Sequence, residues 1–340
     1  MNSSRRIALY HNYKILSQYE KIKQIQAGKF PVPSYATLHL SYSCNQNCRG
    51  CAYAEYNKEH FMPEKSKAFN YVNQLIDFGI KAFDISGGGE PSIIPFMPGL
   101  IEYIISRGGN YGFATNGVAL SNDLKDLLAL TATYIRVSLE TGDKETYCKY
   151  KRCSPEMFDK VCENIIYFGN NRSPNTELSI KFDVNTILYG KKHINGSLNI
   201  LNQFSVDTVS FKSLTGGSEL NDERKEWISD YLDHQSENRN TKIINSIIRR
   251  YPVPQCILTP LQTTIDGKGY VYLCCYYYGN TDHIIGNLND TDFKDIWGSE
   301  VHRKKQQAIS PEYCTQFDCK FFAHHEMVKE VFKRGRLDII

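Results

Sequence analysis

The chain has 340 residues, 41% of them hydrophobic and 23% charged, a mixture with enough apolar material for a large folded core. Its formal net charge of +3 excludes wholesale electrostatic attachment to nucleic acid or to an acidic membrane surface. No apolar run approaches the roughly 18 residues of a membrane span, and MNSSRRIALYHNYKIL at the N-terminus has no secretory apolar stretch, which predicts a cytoplasmic protein.

Residues 36–42, ATLHLSY, alternate as a strand does. Pro63 opens a helix that runs to Gly79. IKAFDIS, 80–86, is a second strand leading into the turn GGGEP. A helix over 95–108, a strand over 111–117 and a helix capped by Ser121 follow. TYIRVSLET, 133–141, is the fourth strand; the next helix begins behind Ser154, and ELSIKFDVNTI, 177–187, is the fifth strand. A short helix over 193–204 and a strand over 207–214 complete the series. Strands alternating with helices at this rhythm predict βα units and a parallel sheet. Six units over 36–215 predict an α/β fold, a partial (β/α)6 barrel rather than a closed eight-stranded one. Residues 1–35 stand as an N-terminal extension, 216–255 as a helical connector, and 256–340 as a small C-terminal unit ending in a helix.

Eleven cysteines in a reducing compartment are metal ligands or redox groups before they are a disulfide framework. Cys148, Cys153 and Cys162 are read as ordinary half-buried thiols. The other eight fall into two groups. Cys44, Cys48 and Cys51 form C-x3-C-x2-C in the loop after the first strand, at the end of the barrel where strand termini carry chemistry. Three thiolates suit three irons of a [4Fe–4S] cube and leave the fourth iron open. A structural zinc ion is the alternative; it needs a fourth ligand, for which His60 is the nearby candidate.

One βα unit later comes SGGGEP, Ser86 to Pro91. Its glycines permit close approach of a ligand to the backbone, and Glu90 offers an anion to an ammonium group; taken alone, such a run is a turn. The triplet and this turn together resemble the radical S-adenosylmethionine (SAM) superfamily over roughly residues 36–215. The resemblance implies that Cys44, Cys48 and Cys51 hold a [4Fe–4S] cluster whose open iron is chelated by the amino and carboxylate groups of SAM. The turn Gly87, Gly88, Gly89 and Glu90 would receive the amino group. One electron then cleaves SAM to methionine and a 5′-deoxyadenosyl radical, which abstracts a hydrogen atom from the substrate. An electron donor such as flavodoxin or ferredoxin is implied. Asn116, within the TNG that ends the third strand, is expected at the cofactor, with Ser138 and Arg152 at its carboxylate and Lys149 and Lys151 beside them. Gly50 occupies the position where the family commonly has an aromatic residue, so Tyr53 is expected to supply the ring near the adenine.

Strand alternation puts Arg136, Ser138 and Glu140 on one face, then Lys181, Asp183 and Asn185, then Ser210 and Lys212. This polar interior predicts a partly open, hydrated substrate cavity, with internal ion pairing as the alternative. Its basic residues suggest a substrate bearing carboxylate, phosphate or many hydroxyls. Glu140, Lys181 and Asp183 are the catalytic candidates on this geometry.

The second group is Cys256, Cys274, Cys275, Cys314 and Cys319. TTIDGKGYVYLCC is read as a hairpin turning at Asp266–Gly267 that returns Cys274 toward Cys256. The spacing C-x12-G-x4-C, with Gly269, and the segment around Ile296–Trp297 resemble the auxiliary-cluster domains called SPASM and Twitch. The resemblance implies one auxiliary [4Fe–4S] cluster held by Cys256, Cys274, Cys314 and Cys319, with Cys275 as the alternate ligand, since neighbours on a strand point to opposite sides. Its expected work is electron transfer; a structural role or a four-cysteine zinc site stays open. The tail HHEMVKEVFKRGRL is read as an amphipathic helix with His324 and His325 facing solvent and no part in chemistry. The expected enzyme is an oxidoreductase-like one acting on a small polar molecule such as a sugar, aminocyclitol or nucleoside derivative. SPASM-type modification of a peptide or protein is the alternative, disfavoured by the short stretch before the first strand; a non-catalytic cluster scaffold is a third reading.

Overall fold

The computed structural model describes residues 12–213, 220–236, 241–247, 256–310, 314, 319 and 321–333. After α1 (Tyr19–Gln26) the chain runs through β1 (Tyr35–His39), α2 (Ala54–Asn57), α3 (Lys65–Asp77), β2 (Ala82–Ile85), α4 (Met97–Ser106) and β3 (Asn110–Thr115). Next come α5 (Asn122–Thr131), β4 (Tyr134–Glu140), α6 (Lys144–Lys151), α7 (Pro155–Asn171), β5 (Glu177–Val184), α8 (Gly190–Ile200) and β6 (Thr208–Ser213). Neighbouring strands from β1 to β6 pair in parallel, as the six βα units predict. The apolar residues that alternate with the polar ones along β4, β5 and β6, Val137, Leu139, Ile180, Phe182, Val184, Val209 and Phe211, are all fully buried. Each such side chain withdrawn from water contributes roughly 1.5–3 kcal/mol, so this face holds the sheet to its helices. Ser121 caps α5, its hydroxyl accepting from the Leu124 amide at 3.3 Å.

The stretch expected as a helical connector contains α9 (Asp222–Ser236) and also β7 (Lys242–Ser246), which pairs in parallel with β6. The β-branched pair Ile243–Ile244, placed against the edge of β6, favours strand over helix. The PVP turn before Cys256 lies outside the described residues. Beyond it, β8 (Gln262–Asp266) lies parallel to β1 on the side away from β2 and forms the predicted hairpin with β9 (Tyr270–Tyr272). With β10 (Ile284–Asn287) the sheet has ten strands in the order β10-β9-β8-β1-β2-β3-β4-β5-β6-β7. The C-terminal unit therefore shares backbone hydrogen bonds with the first barrel strand. It continues through α10 (Phe293–Ile296), α11 (Glu300–Gln307) and α12 (Phe322–Lys333). The Trp297 indole donates to the Pro31 carbonyl at 2.9 Å, fastening this unit to the segment before β1. Among the described residues no helix is long and apolar enough to cross a membrane.

Candidate active site

Cys44, Cys48 and Cys51 stand half-buried in the loop that follows β1. The loop is pinned from below by α6: the Asn47 amide donates to the Lys151 carbonyl at 3.2 Å and the Arg49 amide to the Tyr150 carbonyl at 2.9 Å. Both chain neighbours of Cys48 are thus held by one helix end. Amide side chains approach two of the sulfurs, Asn116 Nδ2 at 3.9 Å from Cys44 Sγ and Asn57 Nδ2 at 3.8 Å from Cys51 Sγ. Burial pushes the Cys44 thiol up to about 12 and raises Cys48 and Cys51 too; metal coordination reverses that by deprotonating a thiol outright. Among the described residues no three His, Cys, Asp or Glu side chains stand close enough to share a single metal ion; a four-iron cube takes one thiolate per iron. Nearby N–H donors and three half-buried thiols on one short loop fit a thiolate-bound cluster.

The GGGEP turn lies directly against this loop. The Gly89 amide donates to the Ser41 carbonyl, and the Glu90 amide to the Ser43 carbonyl at 2.8 Å. A Cβ on Gly89 would sit 1.8 Å from the Ser43 oxygen, and one on Gly88, whose φ is +74°, 2.4 Å from the Ser41 oxygen. The first requirement for glycine here is the close approach of the two chain segments. Glu90 is buried and accepts from Thr115 Oγ1 at 2.6 Å, the Asn116 amide at 2.7 Å and the Ser92 amide at 3.1 Å. Burial raises its pKa, and these hydrogen bonds oppose the rise. Asn116 links the turn back to the cysteine loop, donating to Asn45 Oδ1 at 2.6 Å.

The polar interior is ion-paired within itself. Glu140 accepts from Lys151 at 3.3 Å and Lys181 at 3.1 Å, and Lys181 also reaches Asp183 at 3.2 Å. Tyr150 donates to Asp183 at 3.1 Å and Asn185 to the Tyr150 hydroxyl at 3.2 Å. Glu140, Lys181 and Asp183 are therefore brought together as expected. Burial, and then Asp183, raise the Glu140 pKa against both lysines, whereas the lysines hold Asp183 low despite its burial. Glu140 adopts a left-handed φ of 66° at a bulge between Ser138 and Glu140, a conformation rare for a residue with a side chain and concentrated at functional sites. The internal ion pairing given as the alternative is thus present among these residues. A cavity of about 380 Å³ lies at the opposite end of the strands, walled by Ile15, Tyr134, Leu261 and Phe321.

Arg152, expected at the cofactor carboxylate, has an exposed side chain and ends α6 with a left-handed φ of 53°. The buried cation is its neighbour Lys151, which donates to the Ser138 carbonyl at 3.1 Å. Burial alone would lower the lysine's pKa, but negative charge at Cys48 and Glu140 holds it above the ordinary range. The sequence reading sets Lys151 beside this site but prefers Arg152, although Tyr147 and Lys151 at i, i+4 put both on the buried face of α6. Tyr53 packs against His39 and Tyr278 with ring centroids 5.4 and 5.2 Å apart. It stands between the two cysteine groups, where burial and charge at Cys275 and Cys51 raise its pKa.

In the C-terminal group Cys274 is buried, and Cys275 begins a short 3-10 turn. Burial lifts the Cys256 thiol to about 11 and the Cys319 thiol to about 12, and neighbouring thiols reinforce the rise in both. Tyr277 and Cys314 meet at 3.3 Å from hydroxyl to Sγ. His325, expected to face solvent, is buried, with Nε2 at 3.6 Å from Cys256 Sγ. Phe321, His325 and Val328 recur at helical spacing, and that stripe packs inward with Ile15 and Leu258.

Residues 38–188 match the family described as the radical SAM superfamily, and residues 256–320 match SPASM, an iron–sulfur cluster-binding domain. The chain is 26% identical over 145 residues to the antilisterial bacteriocin subtilosin biosynthesis protein AlbA of Bacillus subtilis (strain 168), covering 41% of this chain and 31% of AlbA. It thus spans less than a third of that relative's length. Streptococcus suis SuiB bound to its precursor peptide SuiA superposes with a TM-score of 0.65 at 16% identity, covering 91% of this chain and 75% of SuiB. The structure of anSMEcpe with AdoMet and the Cp18Cys peptide gives a TM-score of 0.60 at 14% identity, covering 89% of this chain and all of that one. Those structures hold peptides, and the finding corrects the expectation of a small polar substrate. Lys181, one of the basic residues behind that expectation, is paired with Glu140 and Asp183.

Proposed function

Because this chain belongs to the radical SAM superfamily and carries a C-terminal SPASM-type iron–sulfur domain, we propose that it modifies a peptide or protein by SAM radical chemistry. It is an enzyme, oxidoreductase-like in its architecture, that binds SAM and iron–sulfur clusters. The observation that carries the peptide reading is the match along about nine-tenths of the chain to SuiB with SuiA and to anSMEcpe with its peptides. AlbA, a bacteriocin biosynthesis protein, supports it from the sequence side.

Cys44, Cys48 and Cys51 would hold the SAM-binding cluster, and Cys256, Cys274, Cys314 and Cys319 the auxiliary one. When bound, cluster and SAM supply one-electron chemistry that removes a hydrogen atom from the substrate. The protein's residues orient and shield. Glu90, fixed by Thr115, Asn116 and Ser92, would face the cofactor's amino group, and Lys151 with Ser138 its carboxylate. Tyr53 would pack near the adenine. Glu140, Lys181 and Asp183 would line the site beside them, their charges paired so that burial is tolerated.

The test is anaerobic incubation of the reconstituted enzyme with SAM and a reductant, against a pooled synthetic peptide library and a panel of sugars and nucleosides. Formation of 5′-deoxyadenosine with a mass change confined to peptides is expected. Consumption of a sugar or nucleoside with no peptide changed would overturn the peptide reading.

A further inference from the structure

Tyr277 and His325 stand over the auxiliary cysteines in positions that the reading above leaves without a role. Tyr277 is fully buried in the turn after Cys274, its hydroxyl 3.3 Å from Cys314 Sγ. The His283 ring lies against it, with centroids 3.8 Å apart. His325 approaches from α12, with Nε2 at 3.6 Å from Cys256 Sγ. The imidazole is only 2% exposed, and among the described residues its Nδ1 has no hydrogen-bond partner. The contact with Cys256 is thus the hydrogen bond that this buried ring makes among the described residues. A thiolate sulfur only accepts, so with Cys256 and Cys314 as thiolates the tyrosine must donate its O–H and the histidine its Nε2–H.

We propose that Tyr277 and His325 are positioning residues that hydrogen-bond the ligand sulfurs of the auxiliary cluster and raise its reduction potential. The inference rests on the iron–sulfur reading of this domain. Donors to cluster sulfurs withdraw electron density and stabilise the reduced, more negative form, and hydrogen bonding is one of the factors that set cluster potentials. Partners outside the ligand set also fix ligand orientation, so His325 ties α12 to the cluster, and through it the surface that α12 shares with Ile15 and Leu258.

The experiment uses the full chain, anaerobically reconstituted, with Cys44, Cys48 and Cys51 replaced by alanine so that only the C-terminal cluster reports. Iron and sulfide are counted, and the midpoint potential is read by EPR-monitored titration for Tyr277→Phe, His325→Phe and His325→Gln. The expected result is retained iron in all three. Each phenylalanine variant should show a reduced-to-oxidised ratio at least tenfold lower at fixed potential, 59 mV for one electron. His325→Gln, which keeps a side-chain N–H, should stay near the parent. Unshifted potentials in iron-loaded phenylalanine variants would overturn the inference alone. Loss of iron in both His325 variants would overturn it in favour of a ligand role. Zinc in place of iron in the parent would overturn both it and the reading on which it rests.

Discussion

Lys151 joins the cysteine loop to the floor of the site: its carbonyl accepts the Asn47 amide at 3.2 Å while its ammonium lies 3.3 Å from Glu140. Both side chains are buried, so the pair is insulated from solvent screening. Removing one partner of such a pair strands the other charge.

Lys151→Ala should therefore lose about 3 kcal/mol, the lower end of the usual cost of breaking a buried pair, because Lys181 still contacts Glu140. Arg152→Gly, at an exposed left-handed position, should be neutral or gain up to about 1 kcal/mol. Denaturant unfolding of both variants decides it, and equal losses would show that the Lys151 charge is not what supports Glu140. SAM affinity should fall only for Lys151→Ala.

Gly89→Ala forces a Cβ to within 1.8 Å of the Ser43 oxygen, so the turn and the cysteine loop must separate. We expect a folded protein that has lost SAM binding and much of its N-terminal cluster, seen by equilibrium dialysis and iron analysis. Gly196→Ala, in α8 with nothing near the new methyl group, should instead stabilise by roughly 1 kcal/mol.

Replacing Cys44, Cys48 and Cys51 together by alanine should lower the iron count from about eight to about four, if each cluster is of the four-iron type. Cys44→Ala alone should keep most of the fold and abolish SAM cleavage. Cleavage at the parental rate would contradict the assignment of that loop.

His302 makes acid stability testable. Its ring lies between Phe30 and Trp297, at centroid distances of 4.3 and 4.4 Å, and Nδ1 accepts from the Gly298 amide. Burial, then Arg303, pushes its pKa down to about 3. The unfolded chain takes up this proton near pH 6.5, so the His302 contribution is complete above that value. It is then lost as the pH falls toward 3, by at most about 1.4 kcal/mol per pH unit. His302→Gln should flatten that slope when anaerobic unfolding is compared at pH 7.5 and 5.5; an unchanged slope would place the acid sensitivity elsewhere.

The sequence by itself determined the superfamily, the alternating βα units and the identity of the inward and outward faces of β4, β5 and β6. Those features rest on local period and on short motifs, which the chain displays within a few residues. Tertiary structure alone decided that Lys151 rather than Arg152 faces the interior, since a one-residue step around a helix end turns a side chain by about a quarter of a turn. It also decided that the interior charges pair with one another, that β8 joins β1, and that His325 meets Cys256 across 69 positions of sequence. Contacts between distant segments depend on how whole elements pack, and no local pattern of residues encodes that distance.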